Sequence, residues 1–349
     1  MSENKHLTPV WIIYADGRRL DTDHEGALRS ITVTDKLNGA SDFSIIFDTT
    51  EVKVREKGVL SFGSEVSIHM GYKDDVEEVF CGEVLSFRGT YAEGKSEQLE
   101  VSGSNALHKL HHGSHFRGYE NKAPSEVIQG LLDSHSLKGE VDEFGTPREF
   151  HSEENQSDYE YLMEQAKAYG KQVYAYGTTV YVKDEVAVSN DEIIYEWGKS
   201  LKKFEAGQDI SNLISGVDYI GWDHEKNESF TGKAGLEDLP VKIGGDSDWS
   251  KVSKGAGENY AEAQVDMNCK DTEEAKQLAL GRLQQNSYGF YHAQGSGEGN
   301  YKLKAGMRVT IKMTGEGFEG EYMADTVTHK LDRQEGYSTH FSLKRNMTA

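Results

Sequence analysis

Along much of this chain apolar and polar residues alternate, and a period of two places one set of side chains on the buried face of a strand. The alternation is plainest toward the end. Met307, Val309, Ile311 and Met313 occupy every second position, and Tyr337, Thr339, Phe341 and Leu343 repeat the pattern after a run from Glu321 to His329. Gly315, Gly317 and Gly320 permit the tight turns between these runs. Four residues follow Arg345, so a barrel is expected to close here with no further domain after it. The same signature opens the chain. The runs 43–47, 66–70, 79–87 and 98–102 are strand-like and separated by clusters of Gly, Asp and Lys, which predicts a first antiparallel barrel within residues 1–104.

The period changes in the middle. Pro124 stands at the start of a short helix that sets Val127, Ile128, Leu131 and Leu132 on one face. A second helix begins at Ser157, which forms a capping box with Glu160; Leu162, Ala166 and Tyr169 line one face and Gly170 can end it. The stretch 171–182 reads as a hairpin turning near Gly177 and Thr178. Residues 105–199 are therefore expected to form an α+β insert. Strand patterns resume at 200–205 and 213–222, and a third helix opens at Asp271 with Glu274 three residues later, carrying Ala275, Leu278, Ala279 and Leu283. Residues 200–349 are expected to fold as a second barrel. The stretch at about 223–260, rich in Gly, Asp, Ser, Lys and Glu, is expected to be an exposed excursion from it. The fold class is mainly β with an α+β insert.

Composition agrees with that class and narrows the partners. A chain of 349 residues with 36% hydrophobic residues, 10% aromatics and 37 glycines against 4 prolines suits many short strands and turns better than a helical bundle. No apolar run approaches the roughly 20 residues a membrane span needs, and Met1 to His6 lacks the apolar region of a signal peptide, which predicts folding in a cytosol. Cys81 and Cys269 predict two buried free thiols rather than one disulfide. The net charge is −21 and the longest basic groupings are Lys202-Lys203 and Arg18-Arg19, which argues against stable nucleic-acid binding. An acidic surface reads first as a solubility device, and second as a repulsive wall past which anionic cargo moves without sticking.

Candidate chemistry is thin. His108, His111, His112 and His115 offer helical spacing for a metal, but Gly113-Ser114 interrupts the segment and no carboxylate or Cys completes a ligand set, so a solvated loop is expected. Asp158 with Glu160, or Glu153 with Glu154, could be imagined as an acid/base pair for glycan cleavage; a capping box and a polar lead-in account for them more simply. The glycines are spaced as turns rather than as a phosphate loop. Trp222, Trp249 and Tyr260 read as core or interface material, with carbohydrate binding as the alternative. No catalytic, cofactor-binding or metal-binding residue is expected.

Five stretches, in this order, carry a resemblance. They are 79–84; 101–110; 123–128 around Pro124; Asn155-Gln156-Ser157-Asp158-Tyr159-Glu160-Tyr161-Leu162 with 168–170; and 303–306 with 318–322, 327–329 and 341–345. Together they resemble the phage late control protein D family, the baseplate hub of contractile injection machines, which is similar to the N-terminal hub region of type VI secretion spike proteins. The resemblance covers nearly the whole chain, although Tyr159 and Tyr161 stand where the family pattern carries Trp and Phe. It implies two tube-like antiparallel β-barrels per chain and a homotrimeric ring of pseudo-six-fold symmetry, although no strong residue-level repeat relates the two barrels. Such a ring is a symmetry adapter between a hexameric inner tail tube protein and a separate trimeric spike protein, with baseplate wedge proteins and a tape measure protein as further partners. The resemblance implies that no spike is fused to this chain and that Lys344, Arg345 and Asn346 lie on the spike-facing side. It also implies a structural part rather than an enzyme, assembled in the bacterial cytoplasm and carried in a virion tail baseplate or an extracellular injection particle. The rival expectation is a β-rich polysaccharide-binding or glycan-hydrolysing protein.

Overall fold

A computed structural model describes residues 8–48, 60–73, 75–93, 96–186, 192–252, 260–266, 269–315 and 317–348. Met1 to His6, read above for a leader, lie outside the described residues. Thirteen strands form one sheet. Its path runs from Leu201–Gln208 through Tyr291–Glu298 and Gly336–Arg345 to Gly320–Asp332, crosses to Leu28–Lys36, and continues through Asp42–Asp48, Gln98–Ser104, Asp75–Thr90, Glu65–Tyr72 and Pro9–Ala15 to Arg18–Arg19. Arg308–Lys312 branches from Gly320–Asp332 and pairs in parallel with Ile193–Glu196. The segment 193–196, expected in the insert, thus belongs to the second half of the sheet.

The strand sets expected to form two barrels are joined where Gly320–Asp332 meets Leu28–Lys36 over seven consecutive residue pairs. Both strands alternate, with Ile31, Val33, Val327 and Leu331 buried, so one register satisfies both. Polar side chains fasten the junction. Asp35 is buried and its carboxylate accepts from Ala305 N (2.8 Å) and Ser41 Oγ (2.9 Å); burial still pushes its pKa up. His329 Nε2 lies 3.0 Å from Leu303 O, and Nδ1 lies 2.9 Å from Tyr337 Oη. Burial pushes this imidazole down to about 4, so it is neutral, with Nε2–H donating and Nδ1 accepting. Tyr72 Oη donates to Gly299 O across the same seam (3.0 Å).

Each half has its own core. Phe43, Ile45, Phe47, Val66, Ile68 and Val101 fill the first, while Tyr291, Val309, Ile311, Tyr322, Phe341 and Leu343 belong to the second. A third core lies in the insert, where Val127, Ile128, Leu131 and Leu132 of the helix Pro124–Ser134 meet Tyr161, Leu162 and Ala166 of the helix Asp158–Ala168. Gln172–Tyr176 and Thr179–Lys183 form the expected hairpin, and Lys138–Val141 adds a parallel strand. Helix Thr272–Ser287, capped by Asp271 accepting from Glu274 N (2.9 Å), ties the insert to the rest. The chain at Gly170 (φ +72°) passes so close that a Cβ on Gly281 would sit 2.2 Å from Ala168 O. Only glycine at 281 permits that crossing.

The stretch 223–260 is not simply an exposed excursion. Glu228–Gly235 pairs with Gly216–Asp223, which also pairs with Ala261–Val265, and helix Thr272–Ser287 packs on this sheet. Leu236, Leu239, Val241, Ile243 and Trp249 are buried. Composition misled because polar residues such as Lys233 and Asp218, paired at 2.9 Å, occupy only the outer face of a two-sided sheet.

Candidate assembly surface

His115–Lys122 and Arg148–Gln156 pair as an antiparallel ribbon apart from the main sheet. Alternation gives it two faces. On the outer one stand Phe116, 74% exposed, and Phe150, 61% exposed. In register, Phe116 faces Glu154 and Phe150 faces Glu120, so both rings share that side. Gly118 makes room between them, since a Cβ there would lie 2.6 Å from the Phe150 ring. Two uncovered aromatic rings on one small face, rimmed by carboxylates, are the composition of a protein contact rather than of a solvated surface.

Charge occupies the other face. Arg117 Nη1 donates to Asp158 Oδ1 at 2.6 Å and to Glu153 Oε2 at 3.3 Å. His135 Nε2 lies 2.6 Å from Asp158 Oδ2, and Tyr119 Oη donates to Glu153 Oε2 at 3.0 Å. Both carboxylates are buried. Burial pushes Glu153 up, and Asp158 beside it adds to the rise. Burial also opposes the charge on Asp158, but hydrogen bonds from His135 and Glu153 and the Arg117 guanidinium outweigh it and hold Asp158 low. The opposite directions follow from the pairing: Asp158 has the closer Arg117 and His135 contacts, and Glu153 lies beside its charge. Cavities of ≈ 380, ≈ 360 and ≈ 400 Å³ lie elsewhere, and none of the three is lined by either carboxylate. The cluster therefore fastens the ribbon to the start of helix Asp158–Ala168.

That start is the capping box: Glu160 N donates to Ser157 Oγ (3.2 Å) and Ser157 N donates to Glu160 Oε2 (2.8 Å). The carboxylates that meet are Glu153 and Asp158, not Asp158 with Glu160 or Glu153 with Glu154, because the ribbon brings residue 153 back over the helix N-terminus. Glu154 instead accepts from Ser152 Oγ (2.6 Å). The histidine segment is exposed at 111–114, as a solvated loop would be, but it opens as a helix. Ala106–His111 is a 3₁₀ helix with Leu107 and Leu110 buried, His111 stacks on Tyr159 at 3.8 Å, and His115 belongs to the ribbon. Among the described residues no group of three or more His, Cys, Asp or Glu could hold a metal, and no helix is long and apolar enough to cross a membrane. Cys81 and Cys269 are free; Cys269 is buried and Cys81 only half-buried. Trp249 is buried, Trp222 half-buried and Tyr260 exposed.

The side chains of Arg345 and Asn346 are buried, and that of Lys344 is largely so. The Arg345 guanidinium lies 3.8 Å from the Tyr291 ring and 4.5 Å from that of Tyr322, and donates to Glu319 O and Gly317 O at 2.8 and 2.7 Å. Asn346 Oδ1 accepts from Ile243 N (2.9 Å) while Nδ2 donates to Val241 O (2.8 Å). Lys344 pairs with Asp325 at 2.6 Å. The three residues lock the second core and the 241–243 segment together. Phe116, Phe150, Arg117 and His135 are absent from the candidates read from sequence, although the alternation His115-Phe116-Arg117-Gly118-Tyr119-Glu120 carries the strand signal.

A family model described as the Alg8 N-terminal domain matches residues 6–333. No curated protein matches the chain. Among solved structures, a tail protein from Neisseria meningitidis MC58 is similar at a TM-score of 0.67 and 12% identity, covering 97% of each chain. The 43 kDa tail protein of prophage MuSo2 from Shewanella oneidensis gives 0.66 and 13%, covering 96% of this chain and 98% of that one. An E. coli protein described as a component of the type VI secretion system gives 0.59 and 9%, covering 91% of this chain and 73% of that one. The fold is that of these tail proteins over nearly its full length.

Proposed function

This chain belongs to the Alg8 N-terminal domain family, and we propose that it serves as the baseplate hub of a contractile tail or injection apparatus, a trimeric adapter between a six-fold inner tube and a three-fold spike. The observation that carries this reading is the sheet. One half holds six strands and the other seven, counting Arg18–Arg19, and each half has its own core. On this reading each half is a tube-like module, and the two are fixed to one another through the seam at Gly320–Asp332 and Leu28–Lys36. Three chains around an axis supply six modules for a tube ring, while the opposite side keeps three-fold symmetry for a spike. The likeness to tail proteins at nearly full length supports the same role.

On this reading the ribbon makes the contact between copies, with Phe116 and Phe150 as its anchors. The chain carries out no reaction, and the Glu153–Asp158 pair is a structural tie. Light scattering on the purified chain, alone and with its tube and spike proteins, tests the proposal. The expected species holds three chains of 39.0 kDa. A chain that stays monomeric in both conditions contradicts it.

A further inference from the structure

In the small sheet away from the central one, Ala261–Val265 is an outer strand, paired in parallel with Gly216–Asp223. In such a pair alternate residues bond to the neighbour, and the rest turn their backbone groups away. Two bonds show which residues do so. Ser215 N donates to Tyr260 O at 2.9 Å and Asp266 N donates to Ile220 O at 3.0 Å, which sets the even-numbered positions against the neighbour. The N–H and C=O groups of Ala261, Ala263 and Val265 therefore point to the open side, where no strand among the described residues pairs with them. Proteins ordinarily guard an open edge with Lys, Pro, a bulge or an inward charge. This strand has no Lys or Pro and no register shift, and its one charged residue, Glu262, is held by Arg282 at 2.9 Å.

The same strand is one wall of a cleft. Helix Thr272–Ser287 packs on Gly216–Asp223 and Glu228–Gly235, and a cavity of ≈ 360 Å³ remains between the edge strand and helix Asp158–Ala168. Gln264 of the strand lines it, with Tyr219, Leu278 and Ala168 as its apolar part. Its charges balance, since Lys167 and Glu164 stand one turn apart on the helix and Arg282 is bound to Glu262. On the opposite face of the sheet Val265, 65% exposed, lies in register with the half-buried Ile220, and Trp222 follows two positions on. A strand added to this edge sets every second side chain on the cleft side and the others beside Val265. Free backbone groups next to a pocket for alternate side chains are the two requirements of recognition by strand addition: the first binds, the second selects. Both faces are apolar and neither carries a net charge, so the segment that fits is uncharged and rich in aliphatic residues.

We propose that Ala261–Val265 is a docking edge for an extended, uncharged segment of another protein, which joins the small sheet as an added strand and sets aliphatic side chains into the cleft. The inference does not depend on how many copies of the chain assemble. The test uses the full chain, with isotopic nitrogen in its alanines and valines, and a blocked peptide, acetyl-Ser-Val-Thr-Leu-Thr-Val-Ser-amide. The amide signals of Ala261, Ala263 and Val265, assigned by single substitutions, should shift saturably with peptide, and their hydrogen exchange should slow. The same peptide N-methylated along its length keeps its side chains but not its donors, and should not bind. Ala263→Pro removes an edge N–H that no strand of the chain uses, and should weaken binding at least about tenfold, the loss of one or two hydrogen bonds. Gln264→Lys puts a charge on the cleft wall without altering the backbone and should weaken binding severalfold, which keeps the test decisive if the proline variant does not fold. Equal binding of the N-methylated peptide, unchanged binding by Gln264→Lys, or no shift of these amides at about 1 mM peptide overturns the inference. Protection of the same amides that rises with protein concentration and needs no peptide would mean that a second copy occupies the edge, and overturns it as well.

Discussion

The ribbon formed by His115–Lys122 and Arg148–Gln156 keeps its charges inside and its rings outside; the central sheet buries its rings and shows hydroxyls. Both obey the same alternation, and the sense is reversed. In the sheet the inward Phe43, Val101, Val327 and Phe341 stand next in sequence to the outward Ser44, Ser102, Thr328 and Ser342. In the ribbon the inward Arg117 and Tyr119 neighbour the outward Phe116 and Glu120. Burying two carboxylates is costly unless they are paired, here with a half-buried guanidinium, while two phenyl rings in water gain nothing. Such an inversion is stable for the single chain only because the polar cluster is nearly saturated, and it becomes advantageous when the outer face meets a partner. The contrast thus marks the ribbon as the face that gains from being covered.

The contrast breaks most severely at Arg117. Arg117→Met leaves Asp158 and Glu153 buried beside one another without the guanidinium, and urea unfolding should show a loss of roughly 3 kcal/mol, the lower part of the range for breaking a buried pair because Arg117 keeps one side in water. A cost below about 0.5 kcal/mol would mean that the inner face is not held by charge.

In the sheet, His329 gives a pH signature of similar size. Its folded-state value of about 4 lies below the ordinary 6.5, so the unfolded chain binds the proton first. The stability that the neutral imidazole contributes is complete above the unfolded value, is lost as the pH falls through that window, and changes no further below the folded value. At about 1.4 kcal/mol per pH unit the loss is roughly 3 kcal/mol. Urea midpoints of His329→Gln measured across the same window should fall less steeply than those of the parent; parallel slopes would sink the assignment.

The smallest effect on folding, and the most informative for the comparison, belongs to Phe116→Ser with Phe150→Ser. Thermal unfolding of the single chain should shift by no more than about 0.5 kcal/mol, as for exposed side chains, while association is lost. A variant that still forms the three-chain species would show that the rings lie outside the contact.

The strands of the two halves were legible in the sequence wherever a run faced a core on one side, as at 43–47 and 307–313. The helix starts were legible too, because Ser157 and Asp271 act within a few residues of themselves. The seam was not, since Leu28–Lys36 and Gly320–Asp332 lie about 300 residues apart and nothing local marks their pairing. The ribbon escaped because its polar residues point inward, against the sense in which alternation is usually interpreted. The surroundings of Arg345 and Asn346 were not legible either, because Tyr291, Tyr322 and Ile243, which enclose their side chains, are distant in sequence.

The central claim concerns how copies meet, and an electron-microscopic reconstruction of the assembled particle at strand resolution addresses it most directly. The account predicts three copies around one axis, with Phe116 and Phe150 against a neighbouring copy. A different number of copies, or a ribbon left facing solvent, would contradict it.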